Sequence, residues 1–96
     1  MKIQVTQDHI DRGKREHCQK CPIALAISEA FPGTQVSVFA RIRNTIIDDG
    51  DFVYRAYVRI DAIGRILPDS VSQFIDDFDF LRPVQPFEFD LNYNKI

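Results

Sequence analysis

Two runs of alternating apolar residues on either side of a short acidic turn constrain this chain most. Val36, Val38, Ala40 and Ile42 alternate with Ser37, Phe39, Arg41 and Arg43, and after DDGD the residues Phe52, Tyr54, Ala56, Val58 and Ile60 repeat the pattern. Successive strand side chains point to opposite faces, so each run reads as a strand with one buried face. Gly50 as the third residue of a three-residue loop supplies the left-handed position of a bulged hairpin turn and pairs Ile47 with Asp51. That register places Ile42 opposite Ala56 and Ala40 opposite Val58, which keeps the apolar faces together.

The same register places Arg43 opposite Arg55, Arg41 opposite Tyr57 and Phe39 opposite Arg59 on the other face. Like charges directly opposed destabilise a strand pair, so facing arginines need a reason. One reason is function: Phe39, Arg41, Arg43, Arg55, Tyr57 and Arg59 form a candidate partner-binding stripe. Arginine offers bidentate bonds to carboxylate or phosphate and stacks on planar rings. The competing reading is a solvated face, neutralised by Asp48, Asp51 or another carboxylate.

A hairpin by itself is marginal in water and needs a partner layer. Lys2 to Val5 alternates as a short strand. Thr6 followed by Gln7-Asp8 reads as an N-cap with an acid in the first helical turn, and Gly13 suits the C′ position after a helix ending near Arg12. A basic loop, Lys14 to Lys20, leads to a core helix from Pro22 to about Phe31. Its first turns are apolar nearly all round, which predicts burial on several sides. After Gly64, Ser70 and Gln73 have capping-box spacing and Pro68 offers an alternative start for a helix whose buried stripe is Val71, Phe74, Ile75 and Phe78. Asp76, Asp77 and Asp79 crowd its C-terminal end, where the helix dipole disfavours them, and read as a solvated face. Phe87, Phe89 and Leu91 alternate as a last strand that pairs with the first. The expected architecture is α+β in the order β-α-α-β-β-α-β, with a single antiparallel or mixed sheet and helices on one face, forming one compact domain over residues 1–96.

The segment EHCQKCPIALAI, residues 16–27, admits three readings. His9, His17, Cys18 and Cys21 equal in number the four ligands of a structural zinc site, although His17 and Cys18 are adjacent and would have to turn toward one ion. A Cys-x-x-Cys before a helix also resembles a redox pair, but such pairs follow a buried strand, whereas GKREH is charged. The third reading is structural: Cys21 is a small buried residue at the N-cap, Cys18 a loop thiol, and Pro22 the first helical residue. This third reading is preferred, so no cofactor is expected.

Charge narrows the partners. A formal net charge of -2 excludes the general attraction to nucleic acid or anionic membrane that a strongly basic domain has, so any nucleic-acid surface would be local. The N-terminus lacks the apolar core of a signal peptide, and no apolar run approaches the roughly 20 residues of a membrane span, which points to the cytoplasm and away from membranes.

Three stretches together, IQVTQDHIDRG, CQKCPIALAISEAFPG and PDSVSQFIDDFD with RPVQPFEFDL, resemble a group of small proteins encoded by bacteriophages and prophages. The shared features are a short strand and helix, a Cys-Pro-apolar helix entry, and a terminal FI-x-x-FD and PV-x-PF-x-F segment. Most of the chain is covered, least so Arg41 to Ile66. The resemblance implies an intracellular phage accessory protein in the host cell and transfers no catalytic residue. The expected function is non-enzymatic docking on a host or phage macromolecule, a protein first, with modulation of host defence or replication as examples. The alternative is a zinc-stabilised nucleic-acid-binding module that uses the Lys14 to Lys20 loop and the hairpin.

Overall fold

The structure, a computed structural model, describes residues 1–46 and 52–91, with the backbone alone in 40–46 and 52–55. Its elements are β1 (Lys2–Val5), α1 (Gln7–Arg12), α2 (Pro22–Ala30), β2 (Val36–Ile46), β3 (Phe52–Ile60), β4 (Ile63–Ile66), α3 (Asp69–Asp79) and β5 (Phe87–Asp90). The fold is α+β with antiparallel pairing throughout the described strands. In place of one sheet there are two. β1 pairs with β5, as the alternation of both ends predicts, and β2, β3 and β4 form a second sheet in that order. α2 packs against β1 of the first sheet and β2 of the second. This explains its composition: Ile23, Ala24, Ala26 and Ile27 are all buried, because a helix between two sheets has little outward face.

β4 adds a strand to the expected order. Ile60 pairs with Ile63 across the two-residue turn Asp61-Ala62, and Asp61 holds φ 53, a left-handed conformation that aspartate tolerates better than most residues. Four residues containing a glycine carry too little periodicity to read as a strand, and pairing with β3 supplies what the local sequence lacks.

The hairpin register also differs from the expected one, in a graded way. Thr45 faces Val53 and Ile46 faces Phe52, as the turn register requires. Irregularities between Arg43 and Thr45 and between Phe39 and Ile42 then shift the pairing by one residue each. Val38 therefore faces Val58, not Ala40, and Val36 faces Ile60. Burial explains the result: Val36, Val38, Ala56, Val58 and Ile60 all lie in the core, and a bulge is the means by which a strand changes register while keeping its face. The Ile47–Asp51 pairing, the Gly50 turn and the proposed neutralisation by Asp48 or Asp51 lie outside the described residues.

The helix ends are built as their side chains require. Thr6 accepts from the His9 N–H at 3.3 Å, and His9 Nδ1 accepts from the Thr6 N–H at 2.9 Å. This is a capping box with histidine in the glutamate position. Gly13 caps α1 in an extended conformation, φ -68, not the left-handed one expected of a C′ glycine. Glycine is needed there for room, since a Cβ would lie 2.6 Å from the Pro22 ring. α3 begins after Pro68 as N-cap and has no side-chain cap, so neither Ser70 nor a first-turn proline starts it.

The acidic end of α3 is paired. Asp77 accepts from Arg82 Nε at 2.7 Å, and Asp79 accepts from the Glu16 N–H at 3.1 Å. The Leu81 N–H bonds to the Phe78 carbonyl and the Arg82 N–H to the Asp77 carbonyl, a Schellman turn with Leu81 at φ 64 where glycine is usual. Phe74 stacks on Phe78 and Phe87, and Phe87 meets Phe89 in a tilted contact, an aromatic run joining α3 to the first sheet.

Candidate functional site

The two faces of the three-stranded sheet separate the residues singled out from sequence. The inner face is core. On the outer face, Phe39 and Arg59 are exposed and Ser37 and Tyr57 half-buried. Phe39 faces Tyr57, not Arg59, with ring centroids 6.2 Å apart, and Ser37 faces Arg59. The bulges thus exchange the expected Phe39–Arg59 pair for an aromatic one. They also remove the facing arginines: Arg55 is opposite Ile42, Arg43 is opposite Tyr54, and Arg41 falls in the irregular stretch between Phe39 and Ile42. The side chains of Arg41, Arg43 and Arg55 lie outside the described residues. The like-charge argument for the stripe therefore falls with its register, while Phe39, Tyr57 and Arg59 do share one face.

Tyr57 is held across the sheet. It pairs with Ile66, and its hydroxyl end lies over Gly64 of β4, where any Cβ would collide with it. Gly64 is thus a seat for the ring, and the composition of β4 follows from its neighbour Tyr57 on β3. Sequence reading missed this because nothing local distinguishes Gly64 from a strand breaker.

Phe39, 39% exposed, forms a ridge between two hollows. On one side lies a polar recess of about 210 Å³ lined by Gln35, Ser37, Phe39, Arg59 and Asp61. Asp61 Oδ1 accepts from the Gln35 N–H at 2.9 Å, which ties the turn before β4 to the start of β2. On the other side lies a cavity of about 400 Å³ that brings His17, Cys18 and Cys21 together with Glu16 and Asp79, against Val38, Phe39 and Ile75. The loop reaches this place because the Val38 N–H donates to the Cys18 carbonyl at 2.6 Å, covering part of the outer edge of β2. The chain reversal is closed by a bond from the Lys14 N–H to the Lys20 carbonyl at 2.8 Å, with Glu16 at φ 54.

The two thiols differ in kind. Cys18 is exposed. Cys21 is buried, and its Sγ accepts from the Ala24 N–H at 3.4 Å as the N-cap of α2. Burial pushes its pKa up to about 11, outweighing the backbone N–H groups of Ala24 and Ile23 that favour the thiolate. A helix N-terminus activates a cysteine only where solvent or a cation also stabilises the anion. Cys21 is therefore a capping residue in its neutral form, as the structural reading expects.

The four candidate zinc ligands do not converge. His17, Cys18 and Cys21 border one cavity, but His9 is 6% exposed and engaged elsewhere. Its Nδ1 accepts from the Thr6 N–H, so its Nε2 carries the proton and donates to Glu29, which also lies 3.8 Å from Arg12. His9 thereby ties α1 to the end of α2. Among the described residues, no group of three or more histidine, cysteine, aspartate or glutamate side chains is arranged to hold a metal ion. His17 Nδ1 accepts from the Gln19 N–H at 3.3 Å within its own turn. The spacing T-x-x-H was the available signal for the role of His9, and it reads as a cap only once histidine is admitted in place of glutamate.

No protein-family model, curated protein or solved structure matches the chain. Among the described residues no helix is long and apolar enough to cross a membrane.

Proposed function

We propose that this chain is a small non-enzymatic accessory protein of the phage type that acts by docking on a host or phage macromolecule, a protein in the first place. The observation that carries the reading is the outer face of the three-stranded sheet, where Phe39 stands exposed beside a Tyr57 seated on Gly64, with Arg59 on the same side. Aromatic and arginine side chains held rigidly on a strand are the residue types that anchor protein interfaces, because they bury much area at little entropic cost. The neutral, capping Cys21 speaks for a binding role over a thiol enzyme. Modulation of a host defence or replication complex in the host cytoplasm is the setting this reading suggests.

The test is capture of the tagged protein's partner from infected host cells, comparing wild type with a Phe39→Ser/Arg59→Glu variant. Loss of a specific protein partner at an unchanged melting temperature supports the reading. Capture that survives the double substitution rejects this face, and capture abolished by nuclease moves the partner to nucleic acid.

A further inference from the structure

The cavity beside Phe39 has chemically divided walls. Val38 and Ile75, both buried, and the neutral Cys21 thiol give it an apolar floor, while Glu16 and Asp79 bring carboxylates to the same hollow. Among the described residues no lysine or arginine lines it, and His17 is the basic side chain at its rim. Among the described residues neither carboxylate forms an ion pair: Asp79 accepts from the Glu16 N–H, and the neighbouring Arg15 guanidinium stands over the Phe78 ring, 5.7 Å from its centre. Asp79 also closes the last turn of α3, the negative end of that helix. An apolar hollow of about 400 Å³ lies within the size range of small-ligand sites, and its two carboxylates, unpaired with a cation among the described residues, favour a positive charge in it.

We propose that this cavity receives a basic side chain of the protein partner, with the aliphatic stem against Val38, Ile75 and Phe39 and the cationic head between Glu16 and Asp79. Lysine and arginine have this division along their length, an apolar stem and a charged tip. The cavity shares Phe39 with the aromatic ridge, so a partner segment crossing Phe39 and Tyr57 lowers one side chain beside it. This inference rests on the docking reading above and adds the partner's chemistry to it.

The experiment titrates the intact protein with a capped Gly-Gly-Lys-Gly-Gly peptide, with norleucine and glutamate peptides of the same frame as controls, following backbone amide shifts of Cys18, Cys21 and Val38 by NMR. Saturable shifts with the lysine peptide at a dissociation constant on the order of 1 mM are expected, weakening with added salt as partly exposed charges are screened. Glu16→Gln/Asp79→Asn, which keeps an acceptor for the Glu16 N–H, weakens binding roughly tenfold. Unchanged amide spectra elsewhere show that this variant folds. Equal binding of the norleucine peptide, an unaffected double variant, or no saturable response to lysine each overturns the proposal. The titration needs no captured partner, so its failure leaves the Phe39 face standing. Retained capture by Phe39→Ser/Arg59→Glu removes that face whatever the peptide does.

Discussion

The two faces of the three-stranded sheet are made by the same strands and differ in what each side chain must satisfy. Inward, Val36, Val38, Ala56, Val58 and Ile60 are all at most 4% exposed and meet α2 and α3. Outward, Ser37, Phe39, Tyr57 and Arg59 keep partial access to solvent. The inner face decides the register, because moving a strand by one residue would turn its whole buried set outward. The outer face accepts whatever pairing results, and the Phe39–Tyr57 pair is a by-product of bulges whose benefit is measured on the other side. The two thiols repeat the contrast within four residues: Cys21 belongs to the core and Cys18 to the rim.

The comparison breaks most decisively on the inner side. Val58→Asp places a carboxylate at a fully buried position of the central strand and is expected to cost more than about 4 kcal/mol, which unfolds a domain this small. Ile27→Asp, on the α2 surface between the sheets, has the same expected outcome. A soluble variant with a cooperative melt in either case would remove the assigned core.

Cys21 gives the next effect, and it depends on pH. Its thiol titrates near 11 in the folded chain against 9.0 for an ordinary cysteine. The neutral form is the one the fold favours, so the contribution is fully present below about pH 9 and is lost as pH rises toward 11. The loss amounts to roughly 3 kcal/mol. Denaturant melts between pH 8 and 11 should show a fall in wild type that Cys21→Ala flattens and Cys18→Ser retains. Parallel slopes in wild type and Cys21→Ala would show that burial of this thiol does not govern the loss.

Gly64 tests the seat of the outer aromatic ridge. Gly64→Ala drives its methyl into the Tyr57 hydroxyl end and is expected to cost about 1 to 2 kcal/mol as the ring leaves. In a Tyr57→Ser background the same change costs little, so a double-mutant cycle isolates the contact. Equal penalties in both backgrounds would place the strain in the backbone of β4.

Phe39→Ser is the smallest change expected, within about 0.5 kcal/mol by thermal melting, since a partly exposed outer residue away from the core has little stability to lose. A penalty comparable to that of Gly64→Ala would make Phe39 a structural residue and weaken the docking reading.

Local chemistry made much of this structure legible in the amino-acid order. Thr6 and Pro22 mark two helix starts because caps and prolines act within one turn. The alternation at both chain ends made β1 and β5 partners. Among the site residues, Phe39, Tyr57 and Arg59 were legible as one face because a period of two survives any even shift of register. Only tertiary structure decided their neighbours. The two bulges answer to helices far away in sequence and replace a register read from the turn. α2 lies between β1 and β2 and contacts both sheets. β4 is a strand because β3 pairs with it, and Gly64 is fixed by Tyr57. His9 became the link to Glu29 and not a zinc ligand, and Asp79 joined Glu16 and Cys18 around one cavity. The physical reason is range: capping, turn geometry and alternation are satisfied within a few residues, whereas register, burial and the grouping of side chains into a site depend on contacts between segments far apart in the chain.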